Sequence, residues 1–134
     1  MKLVIDANIV LAGLISAEGI TRELLFSPNL ELVSPDFLLE EIDKYRSVVK
    51  EKAGFSDTEL HTAFSIVLSR IKIVPSTEYG SLRPIAKKIS PDPGDTEYFA
   101  LALKMSCPLW SNDKRLKGQK KVTVLSTSEM LKLL

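Results

Sequence analysis

The apolar positions of this chain fall into short unbroken runs separated by longer stretches with helical spacing. Four runs, Lys2–Ile5, Leu30–Val33, Pro108–Ser111 and Val122–Leu125, are rich in Val, Ile or Leu with little alternation, and Ile71–Val74 offers a fifth. Such runs predict strands covered on both faces. Between them, Ile9–Ile15 and Thr21–Phe26 predict a broken pair of helices. Pro35 opens a long helix through about Lys52, with Ser34 as its N-cap and Leu38, Ile42, Tyr45 and Val49 as its inner stripe. The capping box "SDTE", with Ser56 and Glu59, opens a helix to Ile71. Pro84–Ile89 predicts a shorter helix, Pro91 and Pro93 a turn, and Asp95 the start of a helix through Met105. Ser126 or Ser128 caps a last helix, and Pro75–Arg83 reads as irregular.

Strands alternating with helices, with no long linker or repeat, predict the α/β class. The expected architecture is a three-layer α/β/α sandwich around a central, mainly parallel sheet of four to five strands, in a single domain over residues 1–134. Composition changes this picture little. The formal net charge of +1 gives no global pull toward polyanions, so a nucleic-acid partner has to be read from local clusters. The one cysteine, Cys107, excludes an intramolecular disulfide and fits a reducing compartment. Lys2 and the apolar run after it resemble a signal peptide superficially, but Asp6 and Asn8 interrupt that run. No stretch approaches the ~20 apolar residues of a membrane helix. A cytoplasmic protein without membrane contact is expected.

In open α/β sheets ligands bind outside the carboxyl ends of the strands. Asp6 follows the first strand, and Glu40 and Glu41 lie one to two turns into the helix after the second. Asp92, Asp95 and Glu97 fall in "PDPGDTE", and Ser111, Asn112 and Asp113 close "PLWSND". Each acid alone reads as a helix cap or a macrodipole partner, Asp6 included. Together they can project to one end of the sheet, where their mutual repulsion calls for a cation. Oxygen donors without His or Cys suit Mg²⁺ or Mn²⁺ rather than Zn²⁺. Such an ion handles phosphate chemistry. The single histidine, His61, reads as a solvated or half-buried helix position.

"VIDANIVLAGL", "SPDFLLEEI" and "DPGDTEYFALALKMSCPLWSND" resemble the PIN domain, a metal-dependent ribonuclease fold, in their order and spacing. The resemblance spans Lys2 to Leu125 and implies four metal-ligating, catalytic acids: Asp6, a helix glutamate, Asp95 and Asp113. The glutamate lies between Glu40 and Glu41, and Glu41 is preferred because the family's acid usually precedes an apolar core residue, here Ile42. Asn8 would support Asp6 by hydrogen bonds, Ser111 and Asn112 would position Asp113 or a substrate phosphate, and Asp92 and Glu97 would stand behind the ligands. The implied reaction is hydrolysis of an RNA phosphodiester by a water activated on Mg²⁺ or Mn²⁺, leaving a 5′-phosphate and a 3′-hydroxyl. Many small members are toxins of the VapC type, which implies an antitoxin protein as partner. Such domains also commonly pair, and Leu24, Leu25 and Phe26 are candidates for a homodimer surface.

Beyond Asp113, "NDKRLKGQKK" gathers Lys114, Arg115, Lys117, Lys120 and Lys121. These residues read as an RNA phosphate grip or as plain solvated surface. A receiver domain would need an acidic pair after the first strand, and a dehalogenase-like phosphatase a D-x-D there. Asn8 in place of a second acid excludes the phosphatase, and the lack of an acidic neighbour for Asp6 excludes the receiver. A catalytically silent PIN module binding RNA or a protein stays open as the alternative.

Overall fold

The structure is a computed structural model, and it describes every residue except Ala17 and Glu18. Its sheet has five strands in the order β3-β2-β1-β4-β5: β1 (Lys2–Ile5), β2 (Glu31–Pro35), β3 (Ile71–Val74), β4 (Leu109–Trp110) and β5 (Val124–Leu125). Every pairing is parallel, with Val4 opposite both Val33 and Leu109, and Ile5 opposite Trp110. Strand alternation then sorts the apolar residues into two cores. Leu3, Ile5 and Leu32 face α1 (Ala7–Ile15), α2 (Ile20–Leu25), α3 (Phe37–Lys44), α4 (Arg46–Ala53) and α5 (Asp57–Leu68). Val4, Val33 and Leu109 face α6 (Ser76–Tyr79), α7 (Arg83–Ile89) and α8 (Thr96–Met105). The last helix, α9 (Thr127–Leu133), returns Met130 to the first core. The three-layer α/β/α sandwich is therefore present, and its sheet is entirely parallel.

The strand order places β1 between β2 and β4, so the chain winds to one side of β1 and later to the other. Diverging crossovers open a crevice at the carboxyl ends of the strands at such a switch point. Asp6 follows β1 there, and Ser111 follows β4.

Three local expectations are corrected. Ser34 is not a helix cap but lies inside β2, where its buried Oγ donates to Ile5 O at 2.9 Å. The long helix from Pro35 divides at Tyr45, whose N–H closes a tight turn on Ile42 O at 3.1 Å instead of continuing the α-helical ladder. The stretch Pro75–Arg83 is helical rather than irregular. It is anchored by Tyr79, fully buried, whose hydroxyl donates to Asp36 Oδ1 at 2.6 Å.

Two of the three residues considered for a homodimer surface are core residues. Leu24 and Leu25 are buried under α1, and only Phe26 is exposed. Their approach to α1 depends on Gly13, where an added Cβ would stand 2.5 Å from Leu25 Cδ1.

Candidate metal centre

Each acid reaches the crevice by a local rule of chain folding. Asp6 leaves β1 with extended backbone and caps α1, its Oδ1 accepting the Ile9 N–H at 3.0 Å. The Ser111 hydroxyl also donates to it, and the same oxygen accepts the Asp113 N–H at 3.2 Å. Burial to 7% exposure pushes the Asp6 carboxyl up to about 6, against the pull of those two donors, with the charges of Glu41 and Asp113 adding to the rise.

Glu41 lies on the half-buried flank of α3 and accepts a hydrogen bond from the Tyr98 hydroxyl. Asp95 ends a single 3-10 turn, Pro93–Asp95, immediately before α8. Burial, then the neighbouring charges of Asp92, Asp113 and Asp6, raise its carboxyl to about 6 as well. Its Oδ2 is buried and has no hydrogen-bond partner among the described residues. Asp113 follows β4 and caps the next 3-10 turn. The Arg115 guanidinium grips it through Nε–Oδ1 at 3.2 Å and Nη2–Oδ2 at 2.8 Å, which holds this carboxyl below the usual carboxylate range.

The four acids line one cavity of about 260 Å³ with Asn8, Asp92 and Arg115 at its walls. As the side chains stand, no three His, Cys, Asp or Glu groups among the described residues are set to hold one ion together. Glu41 is bonded to Tyr98 and Asp113 to Arg115. The chemistry of the set still fits a hard cation. All donors are oxygens, and one buried carboxylate oxygen lacks any partner.

Not every residue singled out from the sequence comes to this cavity. Glu40 is exposed and lies outside it. Asn8 is exposed at its wall, but among the described residues no hydrogen bond joins it to Asp6, and Ile9 and Ser111 serve that carboxylate instead. Asn112 turns away: its Oδ1 accepts the Thr127 N–H at 2.8 Å and ties the end of β4 to α9. Glu97 is held by Arg83 at 2.8 and 3.0 Å on the second core's side. Asp92 reaches the wall while its Oδ1 accepts the Gly94 N–H at 2.8 Å.

The basic cluster is divided by the fold. Arg115 enters the acidic cavity, and Lys114 and Lys117 line the neighbouring one beside Asp113, with Lys117 paired to Glu129. Lys121 lies by Cys107 and Pro108, at the opposite end of β4, and Lys120 is exposed next to it. Tyr98 was not singled out from the sequence. Its signal was there: it lies three residues after Asp95, one turn along the helix and on the same face.

A family model described as PIN domain matches residues 4–133. The chain belongs to the PIN domain family. Among solved structures, this PIN domain is similar to the crystal structure of VapBC2 from Rickettsia felis bound to a DNA fragment from their promoter. That likeness has a TM-score of 0.70 at 18% identity, covering 94% of this chain and 98% of the other. A search of curated proteins finds no match. At that identity the neighbour speaks to the fold, and the parallel sheet of this PIN domain agrees with it. Among the described residues no helix is long and apolar enough to cross a membrane.

Proposed function

We propose that this PIN domain is a ribonuclease in which Asp6, Glu41, Asp95 and Asp113 hold a Mg²⁺ or Mn²⁺ ion. The observation that carries the reading is the Asp95 carboxylate, whose Oδ2 is buried without a donor in a cavity shared with the other three acids. An orphaned buried acceptor costs ~1–3 kcal/mol, and a cation at that oxygen would offset the loss. When bound, the ion supplies an activated water and stabilises charge on the phosphodiester.

The chain's own residues position that chemistry. Ile9 N–H and the Ser111 hydroxyl fix Asp6, and Tyr98 holds one oxygen of Glu41 at the cavity wall, leaving the other for the ion. Asn8, exposed at the wall, offers an amide to the sugar or phosphate of a bound strand. Lys114 stands beside Asp113 where backbone phosphates would pass. No side chain is required as a covalent nucleophile.

Incubation of end-labelled single-stranded RNA with the protein in Mn²⁺ tests the reading. Cleavage that leaves 5′-phosphates, and that Asp95→Asn removes by a hundredfold or more, is expected. Intact RNA with the wild type would overturn it. The ion pair of Arg115 with Asp113 favours a second reading, a module that binds RNA or a protein without cutting. In that case the wild type and Asp95→Asn bind RNA alike and neither cleaves it.

The likeness to VapBC2 supports a further part of the proposal, that the chain is the toxin of a pair and works against a protein antitoxin. Co-expression with the product of the adjacent gene should then give a complex with suppressed nuclease activity. Separate elution of the two proteins would remove this part alone.

A further inference from the structure

The acidic cavity contains a cation of the chain's own. Arg115 is its one basic lining residue among those described, and the guanidinium fork occupies both carboxylate oxygens of Asp113. Asp113 Oδ1 also accepts the Arg115 backbone N–H at 3.0 Å, so the pair forms within a single short turn. An oxygen pair engaged by such a fork has few lone pairs left for a metal. The Arg115 side chain is 64% exposed, unlike Asp113 at 24%, so the arginine can leave toward solvent while the acid stays.

Resting on the metal-centre reading above, we propose that Arg115 holds the ion's place at Asp113 in the metal-free protein, is displaced when a divalent cation binds, and then grips an RNA phosphate at the cavity's edge. The two states exclude each other at one carboxylate, so metal binding and release of the arginine are linked. The released guanidinium is tethered two residues from Asp113, beside Lys114. A planar fork there suits a phosphate, which it can engage in two parallel hydrogen bonds. Because the guanidinium is largely exposed, its hold on Asp113 is weak enough for a divalent ion to displace it.

Mn²⁺ titrations followed by electron paramagnetic resonance, without RNA, test the exchange in wild type, Arg115→Ala and Arg115→Gln. Both variants should bind Mn²⁺ more tightly, by up to about fivefold, the upper end of what an exposed ion pair converts to. In Ca²⁺, their affinity for a short single-stranded RNA should fall several-fold, while Arg115→Lys, with charge but no fork, recovers part of it. Equal or weaker Mn²⁺ binding by both variants, with clear binding by the wild type, would overturn the exchange and leave the metal centre standing. Unchanged RNA affinity in both variants would overturn the phosphate grip. Absence of Mn²⁺ binding in all of the proteins would overturn the centre itself and the exchange with it.

Discussion

At the scale of single residues, Asp6 carries two roles that pull in opposite directions. As the cap of α1 it satisfies the Ile9 N–H, which stabilises the helix start. As a buried carboxylate among other acids it resists ionisation, and its carboxyl rises from 3.8 to about 6. The sign of the effect on folding follows. An acid raised in the folded state favours folding below its unfolded value and loses that contribution as the pH climbs through about 6. Asparagine keeps the cap and removes the charge. In EDTA, Asp6→Asn should therefore be more stable than wild type at pH 7.5 by on the order of 2 kcal/mol, with the difference closing near pH 4. Urea unfolding at the two pH values checks this, and a variant less stable at pH 7.5 would refute the burial argument. Asp6 was legible in the sequence because an acid interrupts an apolar run at a strand end. Glu97 was misplaced because its partner, Arg83, lies fourteen residues away in sequence, and only the packing of α7 on α8 brings them together.

At the scale of elements, short apolar runs located all five strands, since burial on both faces leaves a mark that local sequence carries. Breaks and joins were less visible. Nothing in the periodicity of Leu38, Ile42, Tyr45 and Val49 announces the turn at Tyr45. Leu38, Ile42 and Val49 enter the same core on either side of it, while Tyr45, expected in the inner stripe, is exposed where the helix breaks. Pro75–Arg83 hid its helices because their order comes from partners elsewhere, Asp36 for Tyr79 and Glu97 for Arg83. The contact of α1 with α2 gives an element-scale prediction. Gly13→Ala gains ~1 kcal/mol of helix propensity, yet the new methyl meets Leu25, which is fully buried. Overpacking of a core costs ~1–3 kcal/mol. A net loss of about 1 kcal/mol is expected in thermal unfolding. A stabilised variant would mean that Leu25 has room to move.

At the scale of the whole molecule, the strand order gathers residues separated by more than a hundred positions into one crevice. The same topology scatters a run that looks continuous in sequence. Lys114 ends beside the acids and Lys121 at the far end of β4. RNA binding in EDTA should report this division. Lys114→Ala should flatten the slope of log affinity against log salt by about 0.7, the share of one phosphate contact on a single strand. Lys121→Ala should leave the slope unchanged, and equal losses from both would deny the division. The proposed chemistry depends most on the ion. Calorimetric titration of the purified protein with Mn²⁺, beside Asp6→Asn and Asp95→Asn, is the most direct measurement of it. Saturable binding by the wild type, weakened tenfold or more in each variant, is the predicted result. Indistinguishable titrations of all three proteins would contradict the metal centre.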